Sequence, residues 1–168
     1  DLFIVVKEGY LSVVELLLKA EGVDVNKESE DGVTHLFIAA KDSHSSVVEL
    51  LLKADGVDVN KGKENGVTPL FIAAQESHSS VVELLLKADG VDVNKGKEDG
   101  ATPLFIAAQE SHSSVVELLL KADGVDVNKA RENGVTPLFI AAQEGHTSVV
   151  ELLLKADGVD VNQSIIHI

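Results

Sequence analysis

A period of 34 residues runs through this chain. Gly32, Gly66, Gly100 and Gly134 are spaced by it, and so are Asn26, Asn60, Asn94, Asn128 and Asn162. The segment Asn65 to Glu98 differs from Asp99 to Glu132 at four of 34 positions: Asn65/Asp99, Val67/Ala101, Gly96/Ala130 and Lys97/Arg131. Near copies at such a spacing imply units that stack and bury a shared core between neighbours, because one unit alone cannot cover its own apolar face.

One unit can be read residue by residue. Thr68-Pro69 is a helix start, since Thr caps and Pro suits the first helical position. Leu70, Phe71, Ile72, Ala73 and Ala74 predict a short helix that is apolar on most sides and so must lie between neighbours. Ser77-His78 predicts a turn. Val81, Val82, Leu84, Leu85 and Leu86 predict a second helix, with Glu83 and Lys87 in the favourable i, i+4 order. Asp89-Gly90 ends it with Gly as a left-handed cap, and Val91-Asp92-Val93-Asn94 reads as a short extended piece. Asn65-Gly66 and Asn133-Gly134 are strong turn dipeptides, with Asp31-Gly32 and Asp99-Gly100 close behind. The unit is helix, turn, helix, then a projecting turn.

A tetratricopeptide repeat shares this period. Its helices would have to run through Asp89 to Gly100, a stretch with three Gly and no helical pattern, and its Trp and Tyr positions have no counterpart here. The motifs instead resemble the ankyrin family. Thr68-Pro69-Leu70-Phe71-Ile72-Ala73-Ala74 is similar to T-P-L-H-x-A-A. Gly145-His146-Thr147-Ser148-Val149-Val150-Glu151-Leu152-Leu153-Leu154 is similar to G-H-x-x-V-V-x-L-L-L, and Asp92-Val93-Asn94 to A-D-V-N. The resemblance spans nearly the whole chain. It implies an all-α ankyrin repeat solenoid, one domain over 1–168. The domain holds about five helix-turn-helix units (roughly 1–31, 32–65, 66–99, 100–133 and 134–168) with projecting β-turn loops.

The chain departs from the family pattern in specific places. The motif His is Phe at 37, 71, 105 and 139, so apolar packing must replace the family's hydrogen-bond network at the helix start. His35 stands where other units have Pro. The Gly before the second His is Ser43, Ser77 and Ser111, a weakness if the turn needs a left-handed residue. One extra residue within Lys87 to Val91 lengthens the unit. Asp1 aligns with His35 and Pro69, so the first helix is expected to lack its cap. Leu2-Phe3-Ile4-Val5-Val6 carries no polar substitution, and the tail Ile165-Ile166-His167-Ile168 replaces the charged Arg131-Glu132-Asn133 of the preceding unit. Terminal repeats normally carry a polar outer face. Its lack here predicts either a fragment of a longer array or ends covered by tail or by another copy.

The net charge of −14 repels phosphate backbones and anionic membrane surfaces, which argues against nucleic acid or membrane as partners. The absence of Cys removes disulfide and thiol chemistry and fits a reducing compartment such as the cytoplasm. No basic leader opens the chain, and its apolar runs of about five residues are too short to span a bilayer.

No constellation points to catalysis, a cofactor or a metal. His44, His78, His112 and His146 form a ladder, but equivalent residues of stacked helical units lie about 8–10 Å apart, too far to share one ion. The resemblance assigns these residues to the inter-helix turn. Glu49, Glu83, Glu117 and Glu151 repeat in identical settings, whereas a catalytic pair needs unlike ones. Ser45-Ser46 and their copies stand beside helix starts as expected caps, and Ser80 to Glu83 has capping-box spacing.

By family register, a protein partner is held by the turn tips and the exposed side of the first helices. Those positions are Glu30, Asp31, Val33, Lys41 and Asp42 in the second unit, and Glu64, Asn65, Val67, Gln75 and Glu76 in the third. In the fourth they are Glu98, Asp99, Ala101, Gln109 and Glu110, and in the fifth Glu132, Asn133, Val135, Gln143 and Glu144. The units carry nearly the same set, and the face holds no Trp, Tyr or Arg anchor of the kind that dominates specific interfaces. Three readings follow. One is a module that binds a basic protein through an acidic concave surface. The others are a consensus-like or engineered scaffold without a specific ligand, and a spacer within a longer array.

Overall fold

In the computed structural model, residues 1–163 are described, and the tail contrast at Ile165 to Ile168 lies outside them. Ten α-helices are present among the described residues, in five pairs: α1 (Leu2–Lys7) with α2 (Leu11–Leu18), α3 (His35–Lys41) with α4 (Ser45–Leu52), α5 (Pro69–Gln75) with α6 (Ser79–Leu86), α7 (Pro103–Gln109) with α8 (Ser113–Leu120), and α9 (Pro137–Gln143) with α10 (Thr147–Leu154). Each first helix packs on the first helix of the next pair, and each second helix on the next second helix, which gives an all-α repeat solenoid of two layers.

The first helices begin as the sequence predicts. Thr34, Thr68, Thr102 and Thr136 each accept the backbone N–H three residues on at 3.1–3.2 Å, and Pro follows at the first helical position in α5, α7 and α9. In the middle units these helices are buried nearly all round, as their composition requires: Leu70, Phe71, Ile72, Ala73 and Ala74 are all below 10% exposed. Asp1 corrects one expectation. Its carboxylate accepts the Phe3 N–H at 3.0 Å, so α1 does have a side-chain cap.

The second helices correct another. They are capped by the backbone of His44, His78, His112 and His146 without a side-chain bond, and the serines lie inside the first turn. The capping box at Ser80 to Glu83 does not form, because the helix starts before it. The hydroxyls instead bridge units: Ser45 to Ser80, Ser79 to Ser114 and Ser113 to Ser148 at 2.8–3.0 Å. The histidine ladder is an inter-unit strut. Each Nε2–H donates to a carbonyl at the end of the preceding first helix (Lys7, Lys41, Gln75 or Gln109) at 2.8–2.9 Å. The turn before each His does need a left-handed residue, and Ser43, Ser77 and Ser111 hold it at φ of 59° to 60°.

Past each second helix, Gly22, Gly56, Gly90, Gly124 and Gly158 take φ of 76° to 78°. The predicted extended piece is not a strand: Val91-Asp92 take no regular structure, and Val93-Asn94 turn, closed by the Asn94 N–H on the Asp92 carboxylate at 3.0 Å. The repeated Asn then ties neighbours together. Asn60 donates from its side-chain amide to Gly90 O at 2.7 Å and accepts the Asp92 N–H at 2.8 Å, and Asn26, Asn94 and Asn128 repeat the pair.

Candidate partner-binding surface

The turn tips stand beside the first helices and leave a groove between them. In the third unit the tip closes by Gly66 N–H to Lys63 O at 2.8 Å and Lys63 N–H to Val67 O at 3.0 Å, with Gly66 at φ 82°. Adjacent tips are joined by backbone: Glu98 N–H donates to Asn65 O at 3.1 Å and Glu132 N–H to Asp99 O at 2.9 Å. The later tips therefore form a ribbon held in register, not loose loops. Gly66 is required here. A Cβ on it would lie 2.8 Å from Gly96 O of the next tip.

Most sequence-predicted positions are exposed, on the tips or at the ends of the first helices. Glu30, Asp31, Glu64, Asn65, Glu98, Glu132 and Asn133 are exposed along the tips, with Asp99 half-buried. Lys41, Asp42, Gln75, Glu76, Glu110, Gln143 and Glu144 are exposed at the ends of the first helices, with Gln109 half-buried. Val67 and Ala101 are buried instead, 8% and 4% exposed, with Ala101 at the base of the groove beside Lys97 and Arg131. Their N–H groups are taken by the Asn65 and Asp99 side chains at 3.2 and 3.0 Å, and the chain turns inward there toward the buried capping Thr. Val33 and Val135 are half-buried.

Sequence reasoning missed the floor. Lys63, Lys97 and Arg131 occupy one repeat position, half-buried beneath the tips, and line the groove with first-helix residues. Arg131 is the anchor the face was expected to lack. Its guanidinium sits 5.4 Å from the centroid of Phe105 and holds the Asp99 carboxylate at 2.6 Å, while its buried Nε has no partner. The Ala101 N–H, and after it Arg131, keep the Asp99 carboxyl below the usual carboxylate range. The ring beneath Arg131 belongs to the Phe that replaces the family's His. A signal for this floor existed: a cation recurs every 34 residues at Lys63, Lys97 and Arg131, directly before Glu64, Glu98 and Glu132.

His35 is 2% exposed. It stacks on Phe3 with centroids 3.9 Å apart, and its Nδ1–H donates to Val25 O at 3.2 Å. Burial pushes its pKa below the ordinary value. Among the described residues, no group of three or more His, Asp or Glu is placed to hold a metal, and no helix is long and apolar enough to cross a membrane.

A stack of helix pairs that presents one long groove, walled by projecting turns, is a repeat solenoid built to offer a surface. The family model described as ankyrin repeats (3 copies) matches residues 2–97 and 89–165, and the chain belongs to the ankyrin repeat family. Members of that family are in general protein–protein interaction modules. No curated protein matches the sequence closely enough to count as a relative.

Proposed function

We propose that residues 1–168 act as one non-catalytic binding module that holds a basic protein segment in the groove between the turn tips and the first helices. The observation that carries this is the exposure of Glu64, Glu98 and Glu132 on the tips and of Glu76, Glu110 and Glu144 at the ends of the first helices, on a stack whose later tips are joined by backbone bonds. Contacts to exposed carboxylates steer and select a partner of opposite charge and weaken as salt screens them. The test compares pull-downs by the wild-type chain and by a variant with Glu64, Glu76, Glu98 and Glu110 reversed to Lys. A basic partner retained at low salt, released at high salt and lost in the variant supports the reading. Retention of nothing at low salt favours a scaffold without a specific ligand, or a spacer.

A second reading concerns the ends of the stack. Ile4 and Leu16 are 64% and 69% exposed at one end, and Leu154 is 50% exposed at the other, although the equivalent residues between units are at least half-covered. Asn162 also stands where four earlier Asn residues grip the following unit. These ends fit another helix pair of the same kind, which in a solution of this chain is a second copy. Size-exclusion chromatography with light scattering over a concentration series tests this, and a strict monomer at the highest concentration rejects it.

A further inference from the structure

A recess of about 260 Å³ lies in the groove between the first helices of the third and fourth units and the tips of the fourth and fifth. Two cations, Lys97 and Arg131, and two amides, Gln75 and Gln109, line it above the rings of Phe71 and Phe105. The aromatic face under Arg131 keeps its guanidinium in the groove. Asp99 answers the charge of Arg131. Lys97 takes part in none of the ion pairs among the described residues, and Asn65 stands where the preceding tip would offer an acid, so the one Asp99 carboxylate in the lining serves both cations. The recess therefore keeps an excess positive charge, with amide donors beside it, in a chain whose net charge is −14.

We infer that this recess takes the carboxylate of a single Asp or Glu from the bound protein segment, held by Lys97 and Arg131 with the Gln75 and Gln109 amides. The inference rests on the groove reading above and adds a chemical pattern to it. Charge-assisted hydrogen bonds of this kind are among the stronger polar contacts, and a half-buried cation gains more from them than an exposed one. The exposed carboxylates of the tips and helix ends turn away a uniformly acidic segment. The segment that fits is basic, with one acidic residue seated between its basic ones. Arg131 occurs in one unit alone, so the recess also gives a nearly uniform groove a defined register.

Fluorescence anisotropy at low salt with three short labelled peptides tests the inference. One peptide contains Lys and Ser, one Glu and Ser, and one a single Glu set between lysines. The single-Glu peptide is expected to bind about tenfold more tightly than the Lys/Ser peptide. That advantage should vanish in the Lys97→Gln, Arg131→Gln variant, which should hold the Lys/Ser peptide at least as tightly as wild type. It should also shift the side-chain amide NMR signals of Gln75 and Gln109. Should the double variant fail to fold, Lys97→Gln alone suffices, because Lys97 is tied into no ion pair. Equal affinity for the two lysine peptides overturns the recess and leaves the groove reading standing. Tight binding of the Glu/Ser peptide overturns the recess as drawn, and binding of none of the three overturns both readings.

Discussion

His35 occupies the first position of α3, where the next three units carry Pro, and it stacks there on Phe3. A buried imidazole is held neutral by desolvation, and its pKa in the folded chain lies below the ordinary histidine value. The folded state therefore binds this proton less readily than the unfolded state does. The contribution to stability is complete above the ordinary His value and is lost as pH falls below it toward the folded value. Thermal stability of the wild type should fall between neutral pH and the value where folded His35 titrates. The His35→Pro variant should show less of that loss, and an identical pH profile would remove His35 as its source. The left-handed serines give a second residue-scale prediction. Ser77 holds φ at 60°, where Gly145 does the same work in the fifth unit at 72°. Ser77→Gly should relieve strain and stabilise by about 0.5–1 kcal/mol, read from denaturant midpoints at unchanged slope.

At the scale of the element, the paired helices are too short to persist alone and owe their order to packing. Leu85 on α6 is fully buried between units. Leu85→Ala should cost about 2–5 kcal/mol, as a cavity in a close-packed interface does. The same substitution at Leu16, which is 69% exposed on α2, should cost far less. Equal losses at the two sites would contradict the packing described here. The exposed Glu–Lys pairs along the second helices, such as Glu83–Lys87 at 3.1 Å, add little to this balance.

For the whole molecule, stability is close to a sum over units and the interfaces between them, so opening should start at the ends. Amide exchange should be slowest in α5 to α8 and fastest in α1, α2 and α10. Uniform protection would mean a single cooperative block. The groove belongs to this scale too, since its recess is assembled from successive turns of the stack: Arg131, on the tip before α9, meets Phe105 on α7 and Asp99 on the tip before α7, under tips joined by backbone bonds.

The period, the Thr-Pro starts, the left-handed turns and the two helices of each unit were all legible in the sequence. Each depends on contacts within a few residues, and repetition displays each one several times. Some wrongly expected features were local, such as the Asp1 cap and the Val93-Asn94 turn, but those that bear on the groove were decided between units. The serines read as local caps because their spacing suits one, yet their hydroxyls meet the next helix pair. Val67 and Ala101 read as surface from their register and turned inward beneath the tip. Lys63, Lys97 and Arg131 were not singled out at all, because nothing in a linear sequence shows that the tip carrying Arg131 folds over Phe105. Local backbone chemistry and the 34-residue repeat determined the solenoid. Only the stacking of one unit on the next decided which charges line the groove floor, because burial is a property of the neighbour that does the covering.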